Sequence, residues 1–167
     1  MMPRKKARPP HAQLNRMSQR WPALHFSMTQ DNRHLIWSGP IRGFQMSYRI
    51  SVFWNWVDEG QTPIVFVRSP KIRPRVGETF ESIPHLMFDP DSPEDSGLCL
   101  FDPEGREWNT SMLIADTTVP WASEWIHHYE CWHLDGVWRG ANAPGPISVA
   151  EIRSQNETKR MIEADTE

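Results

Sequence analysis

The sequence predicts a single α+β domain, with a four-stranded antiparallel meander flanked by helices. Its 167 residues suffice for about one domain with a substantial core. Apolar residues alternate in several short runs between residues 23 and 67, and short links join them, which is typical of an antiparallel meander. A tryptophan-rich stretch with helical spacing then begins near Pro120, after a long proline-rich loop.

Composition limits the classes of function that remain. The formal net charge of −3 argues against a general nucleic-acid binder. No apolar run approaches the roughly 20 residues that span a membrane, and none follows the basic N-terminus as in a signal peptide. We therefore expect a cytoplasmic protein without nucleic-acid or membrane partners, in which Cys99 and Cys131 are free thiols.

The first half of the chain predicts one helix and the meander. Residues 1–10 are interpreted as a disordered basic tail, and the domain is expected to cover residues 11–140. Leu14, Met17 and Trp21 recur on one face of a short helix that ends before Pro22. The four strands are predicted over residues 23–29, 34–38, 46–56 and 64–67.

The second half predicts a long loop and a central helix. Residues 70–110 are rich in proline, and a loop of this length in a compact domain is typically functional. A helix is predicted over residues 120–135, with Gly136 just past its end. We interpret its aromatic stripe as scaffold that faces the core: Trp121, Trp125, Tyr129 and Trp132. Residues 141–167 are predicted to be a peripheral polar segment.

Cys99 is the candidate nucleophile of the long loop. It lies between Leu98 and Leu100, directly after an acidic, proline-rich segment. No Lys or Arg adjoins it, and Asp102 would raise the pKa of its thiol, so a protease-type thiolate is disfavoured. Accepting an already activated acyl group is compatible with such a thiol. A buried structural cysteine is the alternative that spacing alone leaves open.

Two histidine arrangements leave further alternatives. His85, fourteen residues before Cys99, could act as a base or could tie the loop to the sheet. Cys131 and His127 are one helical turn apart, which is half of a metal site. Structural zinc needs four ligands and no Cys-x-x-Cys is present, so a metal-binding module is a rival and no metal is assigned. With no phosphate-binding glycine loop, we expect no cofactor and no ATP-dependent activation by this chain.

Several segments resemble ubiquitin-conjugating (UBC) enzymes. Residues 35–40 resemble the second strand and turn of that family, and residues 48–52 resemble its third strand. Gly97-Leu98-Cys99-Leu100 is similar to its active-site segment, and Trp108-Asn109 to the tryptophan that follows the catalytic cysteine. The resemblance implies a UBC-like fold, with a long active-site loop before the central helix and a thioester on Cys99.

A closer resemblance is to the bacterial branch in antiphage CBASS operons. Residues 119–132 and 136–140 are similar to its run after the cysteine, and the resemblance extends over about residues 20–140. The chain looks like the stand-alone form of that branch. This implies that the partner is a cGAS-like nucleotidyltransferase, whose C-terminal residue is conjugated, and that a separate enzyme could supply activation.

One departure concerns oxyanion stabilisation. The eukaryotic family has His-Pro-Asn before the cysteine, whereas this chain has Pro84-His85-Leu86 and no asparagine. Loss of an oxyanion donor typically costs about a hundred- to a thousandfold in rate. Trp108, Asn109 or a backbone N–H is the candidate for oxyanion or groove support. A catalytically silent UBC-fold adaptor that only docks a partner is the alternative function.

Overall fold

The protein is described by a computed structural model over residues 6–58, 60–102 and 107–140. The predicted C-terminal segment 141–167 and residues 1–5 of the predicted tail lie outside the described residues. The first helix starts at Pro10. Arg8 also donates backbone and side-chain hydrogen bonds to the carbonyls of Thr110 and Ser111.

The secondary structure consists of two α-helices, six strands and three short 3-10 turns within the described residues. The helices are α1 (Pro10–Arg20) and α2 (Thr118–Asp135). The strands are β1 (His25–Met28), β2 (His34–Arg42), β3 (Ser47–Asn55), β4 (Ile64–Ser69), β5 (Leu86–Met87) and β6 (Gly97–Leu98). The 3-10 turns cover Phe80–Ser82, Pro93–Asp95 and Ile114–Asp116.

The strands form one antiparallel sheet in the order β1-β2-β3-β4-β6-β5. The α+β class and the antiparallel meander β1 to β4 are confirmed, but the sheet has six strands instead of four. The two extra strands lie inside the predicted loop 70–110, where β6 pairs with β4 through Gly97 and Phe66. Two-residue strands are too short to show alternation, so only pairing in the folded chain reveals them.

The main core lies between one face of the sheet and α2. Alternate residues of β3 point into it, and Ile50 and Val52 are fully buried there. Phe53, which breaks that alternation, belongs to a smaller apolar cluster on the opposite face with Ile36, Ile64 and Phe66. Within the described residues, no helix combines the length and the apolar character needed to cross a bilayer.

Helix α1 fixes the segment that leads into α2. The side chain of Gln13 is fully buried, and its amide donates to the carbonyl of Met112 and accepts the N–H of Ile114, both at 2.9 Å. The indole N–H of Trp21 donates to the carbonyl of Ala115 at 2.8 Å. Because these bonds satisfy backbone groups of an irregular segment, they set where α2 starts relative to the sheet.

Candidate active site

Cys99 is positioned by the backbone carbonyl of His85. The N–H of Cys99, directly after β6, donates to this carbonyl at 2.9 Å. The indole N–H of Trp125, from α2, donates to the same oxygen at 2.9 Å. His85 has a φ of 54°, a left-handed conformation that is uncommon for residues with a side chain. The loop, the sheet edge and the central helix therefore meet at one carbonyl beside the thiol.

A pocket of about 650 Å³ opens next to Cys99. Aromatic side chains from three segments form much of its wall: Phe101, Trp121, Trp125 and Trp138. The Phe101 and Trp121 ring centroids are 5.8 Å apart, and those of Trp125 and Trp138 are 5.6 Å apart. Cys99 therefore lines the same pocket as residues of the long loop and of α2.

The thiol of Cys99 is almost entirely in its neutral, protonated form at pH 7. Its residue is 9% exposed, and the thiol donates a long hydrogen bond of 3.9 Å to the carbonyl of Phe101. Burial, and then the negative charges of Asp102 and Glu107, raise its pKa to about 11. About one thiol in ten thousand is therefore ionised at pH 7, since the pKa lies about four units higher. An unperturbed cysteine would be ionised to a few per cent.

His85 contributes backbone and ring contacts to the site. Its imidazole stacks on Trp138, with centroids 5.2 Å apart and planes inclined by 21°. Burial, and then the nearby His128, lower the pKa of His85, which favours a neutral ring at pH 7. Within the described part of the chain, no hydrogen bond joins this ring to the thiol of Cys99. Within the described residues, His85 is therefore hydrogen-bonded to Cys99 through its backbone carbonyl.

Trp108 and Asn109 do not line the pocket among the described residues. Trp108 is buried in the main core, where its ring meets Trp54 edge-on at 6.2 Å, and its indole N–H has no partner there. The side-chain oxygen of Asn109 accepts hydrogen bonds from the N–H and hydroxyl of Ser111 and so stabilises a local turn. The structure brings Cys99 and His85 together at the pocket. Trp108 and Asn109 are not among the described residues that line it.

The family of the chain follows from a comparison with known protein families. The model of the family described as "Type II CBASS E2 protein" matches residues 13–146, which is most of the chain and includes the whole pocket. The chain belongs to this family. The resemblance to a CBASS conjugating protein is thereby confirmed. Among curated proteins, no match to the chain was found.

In this E2 protein, the aromatic stripe of the central helix is more than scaffold. Tyr129 and Trp132 are buried as predicted, but Trp121 is half-buried and lines the pocket. Trp125 is 4% exposed and belongs both to the buried core and to the lining of the pocket. Helical spacing marks a buried face, but it does not reveal a cavity that opens along that face.

Sequence reasoning also missed the wall formed after α2. Trp138 and Gly140 border the pocket, and Trp138 contacts the rings of both His85 and His128. A Cβ at Gly140 would lie 2.6 Å from the indole nitrogen of Trp138 and 2.9 Å from a ring carbon of His128, so a side chain there would require these rings to shift. The only available signal was the resemblance of residues 136–140 to the CBASS branch, which carried no role for them.

The second cysteine lies outside the pocket. Cys131 is half-buried on α2, and the neighbouring His127 stacks on Phe44 with centroids 4.2 Å apart. Nε2 of His133 is hydrogen-bonded to the carbonyl of Arg73. Among the residues that the structure describes, no three His, Cys, Asp or Glu side chains are arranged to share a metal ion. The metal-module alternative therefore has no assembled site in the described ranges.

Proposed function

We propose that this E2 protein accepts the C-terminal acyl group of a partner protein as a thioester on Cys99. The observation that carries the proposal is that Cys99, although only 9% exposed, lines an open pocket between the loop and α2. The Cys99 thiolate attacks the activated carbonyl, the new C–S bond forms, and the leaving group departs with the electrons of its bond. The thiol proton is released to the leaving group or to solvent.

The partner is proposed to be a cGAS-like nucleotidyltransferase of the same CBASS system, as the family resemblance implies. A C-terminal tail suits the pocket because only a few residues must be ordered to bring the carbonyl to the thiol. The sequence contains no phosphate-binding glycine loop, so activation of the terminus is assigned to a separate enzyme.

Oxyanion stabilisation is proposed to come from the backbone after the nucleophile. Asn109 is engaged with Ser111 and does not border the pocket. By contrast, the N–H groups of Leu100 and Phe101 donate no hydrogen bond within the described residues. The N–H of the residue after a nucleophile is a common oxyanion donor. Because backbone N–H groups would replace the asparagine amide of the eukaryotic family as oxyanion donors, transfer from the thioester to an amine is expected to be slow.

The test is co-expression with the nucleotidyltransferase and activating enzyme of a CBASS operon, followed by non-reducing electrophoresis and intact-mass measurement. We expect a species of the summed mass that hydroxylamine or excess thiol cleaves. It should be absent in Cys99→Ala and in a partner that lacks its last residues. Cys131→Ser is the matched control, because it removes a thiol outside the pocket and should leave the species unchanged.

The adaptor alternative makes a different prediction in the same experiment. A protein that only docks its partner would form an equally abundant complex with Cys99→Ala, and that complex would dissociate under denaturing conditions without any reductant. Such a result would remove the thioester proposal and leave the pocket as a docking site. The raised pKa of Cys99 is compatible with either function, so only the covalent product separates them.

A further inference from the structure

The pocket beside Cys99 is acidic as well as aromatic. Three carboxylates border it, from Asp102, Glu107 and Glu124, and the described lining contains no Lys or Arg. Glu124 is exposed and makes no side-chain hydrogen bond or ion pair within the described ranges. Asp102 and Glu107 contribute to raising the pKa of Cys99, so their negative field reaches the sulfur. The described lining is therefore acidic, and Glu124 is its carboxylate that remains available to a ligand.

The aromatic walls suit the same kind of ligand. A cation placed over a tryptophan face within about 6 Å is attracted by the ring quadrupole, and Arg in particular stacks on such faces. Trp121 and Glu124 lie on the same stretch of α2 and both border the pocket, while Trp138 bounds it after the helix. A guanidinium or ammonium group could thus contact a ring and a carboxylate together.

We propose that this pocket selects a donor segment with a basic side chain, Arg or Lys, within its last three residues. The proposal rests on the thioester function above. The pocket volume of about 650 Å³ has a cube root of about 9 Å, and three extended residues span about 10 Å. Because the carbonyl is bonded to Cys99, which lines the pocket, only about these last residues fit in the pocket with it.

The charge of the donor's last side chains determines how well the donor fits this pocket. A basic side chain offsets the carboxylates, whereas an apolar one would leave them partly desolvated beside it. A donor with an acidic side chain would be repelled, as would the free carboxylate that hydrolysis of the thioester releases. A bound cation near the sulfur also favours the thiolate, which the carboxylates alone disfavour. The correct donor would thus promote its own transfer.

The test uses the full chain and three synthetic thioesters with the same leaving thiol: acetyl-Arg-Arg-Gly, acetyl-Leu-Leu-Gly and acetyl-Glu-Glu-Gly. In the reaction, the Cys99–acyl bond forms and the bond to the leaving thiol breaks, with one proton passing between the two sulfurs. Acylation is followed by intact mass. We expect the Arg probe to react about three- to tenfold faster than the Leu probe, and the Glu probe to be slowest. Salt should reduce these differences.

The variant Glu124→Gln removes one pocket carboxylate and is expected to bring the Arg probe close to the Leu probe. Glu94→Gln is the matched control, since Glu94 is also exposed but is not among the described residues that line the pocket. If all three probes acylate Cys99 at equal rates, or the Leu probe is fastest, the thioester function stands and this inference falls. If no probe acylates Cys99, both fall. If Glu94→Gln acts like Glu124→Gln, the effect is net charge and the inference is overturned.

Discussion

The two halves of α2 use their polar side chains differently. In the anchor half, residues 129–135, the polar groups bind the backbone of neighbouring segments. Glu130 is 4% exposed and accepts the N–H groups of Phe44 at 2.5 Å and Gln45 at 3.1 Å. The Tyr129 hydroxyl accepts the N–H of Arg73 at 3.0 Å. This half therefore holds the β2–β3 turn and the segment after β4 in place.

In the pocket half, residues 118–128, four side chains line the pocket: Trp121, Glu124, Trp125 and His128. Only Trp125 makes a side-chain hydrogen bond within the described residues, to the carbonyl of His85. Glu124 and His128 border the pocket without one. One half of α2 therefore anchors neighbouring segments, whereas the other half lines the candidate pocket. This difference predicts that substitutions in the two halves separate stability from Cys99 chemistry.

The largest expected effect distinguishes the two cysteines. Cys99→Ser should abolish antiphage protection while leaving the fold intact, because the side chain borders a pocket and leaves a small cavity. Cys131→Ser, in the anchor half, should keep protection within about twofold and cost at most about 1 kcal/mol, since it is only half-buried. Phage-plating assays and thermal unfolding of both variants measure this. Equal loss of protection would refute the assignment of Cys99.

The next effect concerns how the reactivity of the Cys99 thiol changes with pH. Because burial and two carboxylates raise its pKa to about 11, its reactivity should increase about tenfold per pH unit between pH 7 and 10. The measurement is iodoacetamide alkylation of the Cys131→Ser variant, followed by intact mass. An unperturbed thiol would approach a plateau near pH 9. A plateau there would show that the pocket does not perturb Cys99.

A smaller effect on the acylation of Cys99 is expected when the hydrogen bond from Trp125, in the pocket half, to the loop is removed. Trp125→Phe keeps an aromatic ring but removes the N–H that donates to His85, and it should slow acylation of Cys99 about two- to tenfold. Trp132→Phe is the control, because Trp132 is equally buried in the anchor half. If both variants lower the acylation rate in proportion to their loss of stability, Trp125 has no separate positioning role.

The smallest effect on the acylation of Cys99 is expected for a substitution in the anchor half. Glu130→Gln weakens the charge-assisted hydrogen bonds to the β2–β3 turn and should lower the free energy of unfolding by about 1–2 kcal/mol. Acylation of Cys99 should stay within about twofold, as Glu130 does not border the pocket. Urea unfolding and the probe thioesters measure the two quantities. A tenfold loss of acylation would mean that the halves are not separable.

Much of the fold could be predicted because its signals are local. The alternation in residues 46–56 reflects the opposite faces of a strand, and the 3.6-residue spacing after Pro120 reflects one face of a helix. Cys99 could be singled out because it is one of two cysteines and lies in a segment that resembles a known active site. The order of elements followed from short links between neighbouring strands.

The sequence by itself determined the α+β class, the meander, the central helix and the candidate nucleophile. The tertiary structure alone decided that β5 and β6 extend the sheet, that Trp138 borders the pocket, and that Trp108 and Asn109 do not line it among the described residues. It also decided how far the pKa of Cys99 is raised. The physical reason is that strand pairing, cavity lining and burial depend on contacts between residues distant in the chain, which leave no period in the sequence.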